Sequence, residues 1–269
     1  MKTNHKLSLG YTALILLCGA VLAIHRHFGA PSGLALVLVA LCGGLVVALC
    51  GAGTERLRHR LSLKPAVMDK GGFALLAAAG FLFLLAAGFT LLEQSVGSAL
   101  RLVTAAFFAA CGALTLMRLP LRDEGETAAA YSLLPIFSMA FYLLALYRAN
   151  GDNPYLYRFG YEIAVVIAAL VGSYFAVSGR FERTRPCLRA AVCGLGLMLV
   201  FQQLLYTLLA PGTVFSLEGF TPGAAVMLAA QGLLLVCGLF YPPAREVFPI
   251  QEEDAPATDE DDETEGEGD

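Results

Sequence analysis

Eight separate runs of about 20 mostly apolar residues dominate this chain, and nothing else in it restricts the fold so severely. They lie near 7–25, 33–52, 71–92, 98–117, 129–147, 159–178, 187–209 and 221–241. A stretch of that length is what an α-helix needs to cross the hydrocarbon core of a bilayer, where every backbone N–H and C=O must be satisfied within the segment. None of the runs alternates apolar and polar residues as a barrel strand would. The breaks between them carry charge and turn residues, among them Gly29-Ala30-Pro31, Glu93-Gln94-Ser95, Asn150 to Pro154 and Pro211-Gly212. The expected fold is therefore all-α, a polytopic transmembrane bundle of about eight spans covering residues 1–250. Composition agrees: 57% of the residues are hydrophobic and 15% charged, well below the roughly 25% charge of a soluble domain.

Charge then orients the spans. Lys and Arg are retained on the cytoplasmic side of a membrane, so their distribution over the loops sets the topology. With eight spans, 14 of the 18 basic residues fall on the side that holds both termini. Only Arg26, Arg101, Arg148 and Arg158 fall on the other. Such a split favours an even number of crossings with the N- and C-termini both cytoplasmic. The N-terminus begins like a signal peptide, with Lys2 and Lys6 before an apolar stretch. That stretch is longer than a usual signal core and leads into His25-Arg26-His27, which favours a retained first helix.

The formal charge of −4 describes no real surface, because 11 of the 22 acidic residues lie between Glu252 and Asp269. Residues 251–269 hold no large apolar side chain and cannot bury a core, so a disordered acidic cytoplasmic tail is expected. The segment from Glu55 to Lys70 interleaves Arg56, Arg58, Arg60 and Lys64 with leucines. It reads as a contact with anionic lipid or as a plain topology signal. Small residues recur at four-residue spacing in span two (Ala40, Gly44, Ala48, Ala52) and span four (Ala105, Ala109, Ala113). Their expected use is close helix contact within the bundle, with a homodimer as the alternative.

No chemistry-bearing motif stands out. H-E-x-x-H, a P-loop and paired intramembrane aspartates are absent. The nearest approach to a nucleophilic serine, Ala176-Val177-Ser178-Gly179, lacks the leading glycine and has no intramembrane His to act as base. The seven cysteines form no C-x-x-C and fall mostly inside apolar runs, where Cys packs as a small hydrophobe. His25 and His27 alone make a weak metal motif. The reading is a non-enzyme with no metal, no cofactor and no nucleic-acid partner.

What remains are polar residues at or inside the spans. An ionisable side chain there is costly and marks a candidate site. Glu162 lies near the outer start of span six, with Arg158 four residues before it on the same helix face. Arg101 and Arg148 lie at similar depth on spans four and five. Two readings stand: an outward-facing polar pocket made by Glu162, Arg158, Arg148 and Arg101, or a local Arg158–Glu162 pair with arginines snorkelling to head groups. Gln202, Gln203 and Gln231 lie deeper, where unpaired amides are expensive; they either line a path or clamp neighbouring helices. Tyrosines 142, 147, 155, 157, 161 and 206 map to the outer half.

The stretch from Tyr131 to Glu162, with Pro135, Phe137, Phe141, Tyr147-Arg148, Pro154 and Tyr161-Glu162, resembles uncharacterised multi-pass membrane proteins of Gram-positive gut bacteria. That family has no assigned activity. The resemblance implies a bacterial cytoplasmic-membrane setting and draws attention to the outer ends of spans five and six. The leading functional expectation is transporter-like handling of a small solute or ion at that outer site; the alternative is a non-catalytic membrane scaffold or regulatory partner.

Overall fold

The computed structural model describes residues 2–28, 34, 37–49, 70–93, 98–121, 125–150, 160–178, 181, 186–210 and 221–240. The acidic segment 251–269, most of the basic stretch 55–70, and Arg158, Tyr155 and Tyr157 lie outside them. The described residues are helical with no strand. The helices are α1 (Lys2–His27), α2 (Val37–Leu49), α3 (Lys70–Leu92), α4 (Ser98–Met117), α5 (Gly125–Asn150), α6 (Gly160–Ser178), α7 (Pro186–Leu209) and α8 (Pro222–Phe240). Seven of them are long and apolar enough to cross a membrane, and α2 is a shorter apolar helix. At 1.5 Å per residue the shortest of the seven, of 19 residues, spans about 28 Å, close to the thickness of a hydrocarbon core.

The bundle has an apolar core, but it also exposes large apolar side chains and encloses amides. Leu17, Phe81, Leu144 and Leu208 point outward, Leu17 with 64% of its surface exposed, while Gln202, Gln203 and Gln231 are fully enclosed. Lipid is as apolar as leucine and accepts the first group freely, but it rejects the second. The molecule is an integral membrane protein built as a helical bundle.

Close approaches reveal the helix directions. Gly80 of α3 meets Gly112 and Leu116 of α4, and Gly112 meets Leu84, so these two run antiparallel. Gly172 of α6 lies beside Cys193 of α7, and Gly196 of α7 beside Ala168, which is again antiparallel. On α8, Gly232 faces Val200 and Gly238 faces Cys193, so α8 opposes α7. It runs parallel to α6, pairing Gln231 with Ser173 and Gly238 with Ala176. Against α3 it is antiparallel, with Gly223 at Thr90 and Cys237 at Leu76. Finally, Gly19 of α1 approaches Met198 and Arg26 reaches Gln203, so α1 runs parallel to α7.

These directions fix the parity of the chain. Helices α1 and α3 point the same way, so the end of α1 and the start of α3 lie at opposite ends of the bundle, with α2 between them in the chain. An eight-pass architecture needs that arrangement. The start of α1 and the end of α8 also lie at one end of the bundle, as an even number of crossings requires.

Packing places α7 against α1, α6 and α8, and α8 against α3, α6 and α7, while α5 bridges α4 and α6. Helix backbones come close where glycine permits. A Cβ on Gly196 would sit 2.9 Å from the carbonyl oxygen of Ala168, and one on Gly19 would sit 2.9 Å from that of Met198. The expectation for the stripe in span two is corrected. Ala40, Gly44 and Ala48 are exposed, Gly44 has open space around it, and the buried face of α2 is carried by Gly43 and Val46. The contact is made by neighbours of the stripe, Val46 and Gly43, the latter against Leu195, so Ala40, Gly44 and Ala48 do not serve contact within the bundle; Ala52 lies outside the described residues. In α4 the stripe does turn inward at Ala105, which is 3% exposed.

Candidate functional site

Arg26 is the last cation of α1, placed after a long apolar run so that it emerges at the end of the bundle where α6 begins and α7 finishes. Its guanidinium is divided between two partners. Nη2 donates to Glu162 Oε1 at 2.6 Å, and Nη1 donates to Gln203 Oε1 at 2.6 Å. The rings of Tyr161 and Tyr206 lie against its central carbon, with centroids 4.5 and 4.0 Å away. The Glu162 side chain is 3% exposed and that of Arg26 is 11%, so this is a buried ion pair whose attraction is little screened. Glu162 lies in the first turn of α6, where the unpaired N–H groups of the helix also favour a negative charge. Three helices are thereby joined at one cation.

The arrangement is unfinished, however. Among the described residues, Glu162 Oε2 and Gln203 Nε2 are buried with no hydrogen-bond partner. Next to Gln203, both amide atoms of Gln202 are equally orphaned, and so is Gln231 Oε1 on α8. Gln231 Nε2 does have a partner, the hydroxyl of Ser173 on α6, which itself donates to Ala169 O at 2.7 Å. An unsatisfied polar group in hydrocarbon costs several kcal/mol, so a dry packing of these side chains is disfavoured. Their order along the helices runs from the Arg26 end of the bundle towards its middle.

The Gln231–Ser173 bond allows a direct check. Interhelical hydrogen bonds in membranes contribute about 0.6 kcal/mol on average and up to about 1.7. Ser173→Ala should destabilise the bundle by about that amount, because it leaves the second end of Gln231 orphaned. Gln231→Leu removes the orphaned oxygen together with the bond, so it should cost less than Ser173→Ala. Reversible unfolding of the purified chain in mixed micelles gives the order; the reverse order would mean that Gln231 Oε1 is satisfied by water.

A second polar cluster occupies the same end of the bundle, where α3 meets the start of α8. Glu93 Oε1 accepts the backbone N–H of Gly223 at 2.7 Å, and the Glu93 carbonyl accepts Arg101 Nη1 at 2.7 Å. Thr221 caps α8 by accepting the N–H of Ala224 at 3.3 Å, with Pro222 at the first helical position. These contacts satisfy two donors at the start of α8 and tie the end of α3 to α8 and α4.

The candidate residues thus separate. Glu162 and Gln203 come together, with Gln202 adjacent to Gln203 in the chain, whereas Gln231 pairs with Ser173. Arg101 belongs to the Glu93 cluster. Arg148 is exposed in the last turn of α5, and Arg158 lies outside the described residues. The cation that holds Glu162 is Arg26, which the charge pattern places on the outer side as one of four cations there without pairing it. Of the tyrosines, Tyr161 and Tyr206 join the site, Tyr142 is buried beside Phe108, and Tyr147 is exposed. His27 packs edge-on against Phe28, and among the described residues no group of His, Cys, Asp and Glu could hold a metal.

Chemically, the Arg26 site is a balanced pair of charges walled by aromatic faces. It offers an unused carboxylate oxygen and an unused amide donor on either side of one guanidinium. These two atoms could accept a hydrogen bond from one group and donate one to another. Comparison with protein-family models, with curated proteins and with solved structures finds no match to this chain.

Proposed function

We propose that this integral membrane protein handles a small polar solute or ion in a transporter-like manner. The site would lie at the outer ends of α1, α6 and α7, in a bacterial cytoplasmic membrane with both termini inside. The observation that carries this reading is the set of enclosed, unpartnered polar atoms on Glu162, Gln203, Gln202 and Gln231. A static scaffold gains nothing from burying amides that find no partner, whereas a hydrated or solute-lined path completes them. The excess of basic residues on the opposite loops supports the outward assignment of this end.

Thiol labelling in intact membrane vesicles tests the proposal. In a cysteine-free background, Gln203→Cys should react with a membrane-impermeant, water-soluble thiol reagent added from outside. Leu17→Cys, on the lipid-facing side of α1, should stay unmodified. Labelling at 203 only from the inside would reverse the orientation. If position 203 is as inert as position 17 from both sides, the site is dry and the scaffold reading takes over.

A further inference from the structure

The proposed solute site has a charge balance that narrows what it can accept. Arg26 and Glu162 cancel one another, and the neighbouring glutamines and tyrosines are neutral. A lone anion recruited to Arg26 would draw the guanidinium away from Glu162 and leave a buried carboxylate uncompensated. A lone cation on Glu162 would do the same to Arg26. Either result carries the penalty of an unpaired charge in a low-dielectric site.

The unpartnered atoms narrow it further. Two of them belong to the residues bonded to Arg26, and the first is a carboxylate oxygen, Glu162 Oε2, which needs a donor and favours a cationic one. The other is an amide nitrogen, Gln203 Nε2, which needs an acceptor. Both belong to side chains bonded to the same guanidinium, Glu162 through Nη2 and Gln203 through Nη1, each at 2.6 Å. They are therefore within reach of one small molecule carrying an acidic and a basic group a few bonds apart.

We propose that the Arg26–Glu162 pair is the binding site of a small zwitterion of the amino-acid type. The ligand's carboxylate takes Arg26 and Gln203 Nε2, and its ammonium takes Glu162 Oε2. Resting on the solute-handling reading above, this assignment adds the class of the solute. Partner exchange keeps the site neutral at every stage: each protein charge leaves its protein partner only as a ligand charge of the same sign replaces that partner. The guanidinium keeps its aromatic contacts with Tyr161 and Tyr206, so its position is held while its hydrogen bonds are exchanged.

Isothermal titration of the purified full chain in nanodiscs tests this, using the twenty standard amino acids as probes. For each binder, the methyl ester keeps only the positive end, the N-acetyl derivative keeps only the negative end, and the N-acetyl amide keeps neither. At least one free amino acid should bind, and capping either end should weaken it tenfold or more. Arg26→Lys retains the charge but not the two-pronged donor, and should weaken binding without loss of fold. The double variant Arg26→Gln/Glu162→Gln, which leaves no stranded charge, should abolish it. Arg148→Gln, on an exposed residue, should bind as the parent does.

If the ester or the acetyl derivative binds as well as the free amino acid, the zwitterion assignment is overturned. Binding of only sodium, potassium, chloride or glycerol, lost in the double variant, also overturns it, but leaves the solute site standing. If no probe of any class binds and position 203 proves dry to thiol reagents, both readings fall together.

Discussion

Arg26→Gln is expected to lower the stability of the purified protein in micelles by about 3 kcal/mol or more, the size typical of stranding one partner of a buried pair. The substitution removes the guanidinium from a Glu162 that is 3% exposed and has only this cation bonded to it among the described residues. It also frees Gln203 Oε1 and takes the central contact from Tyr161 and Tyr206. Glu162→Gln should cost less, because Arg26 then retains Gln203, the two rings and partial access to water. Combining the two should be milder than Arg26→Gln alone, since no charge is left without its counterpart. The resulting coupling, about 2 kcal/mol, is read from a double-mutant cycle on reversible unfolding. Additive effects would mean that the pair opens readily and contributes little to the apo protein.

An effect of comparable size is expected at Gly196, where the contact is one of packing alone. A Cβ there would lie 2.9 Å from the carbonyl oxygen of Ala168 and 3.3 Å from Leu235 Cδ1. The leucine methyl can rotate away, but the carbonyl belongs to the backbone of α6 and cannot. Gly196→Leu should therefore wedge α6 from α7 and cost about 3 kcal/mol, at the upper end of overpacking effects. Gly88→Leu is the matched control. It lies on α3 with open space around it, so the same change should be neutral or slightly stabilising through helix propensity. Parallel unfolding curves separate the two. Equal effects would show that glycine is tolerated for its backbone, not required by the α6–α7 contact.

Much of the scaffold is legible in the residues alone. Seven of the expected spans coincide with long apolar helices; the third, expected over 71–92, is Lys70–Leu92, and the fourth, expected over 98–117, is Ser98–Met117. The reason is that hydrocarbon supplies no hydrogen bonds, so the length and apolarity of a segment by themselves force it into a helix of that extent. Parity is legible too. The skewed distribution of basic loops implies an even number of crossings, and the parallel run of α1, α3 and α7 with the opposing run of α4, α6 and α8 agrees with it.

The partner of Glu162 is not legible. Helical spacing relates residues three or four apart on one helix, and so it proposes Arg158. It is silent on which of several helix ends meet in space. Arg26 is 136 positions away in the chain and reaches Glu162 because α1 and α6 both pack on α7. Nor can spacing say which face of α2 turns inward, since a stripe of small residues suits a helix contact and a lipid face alike.

Hydropathy and charge along the chain are thus enough to show that it crosses a membrane as helices, roughly where each begins and ends, and that Glu162 and the glutamines are the costly groups to explain. These are properties of single segments against a uniform solvent. It takes the packed bundle to show that Glu162 is held by Arg26, that Gln203 and two tyrosines complete that pair, and that Arg101 belongs to a separate contact at Glu93. Those are properties of which helices are neighbours, and in lipid that choice rests on close packing and a few directional bonds rather than on hydrophobicity, which every span shares.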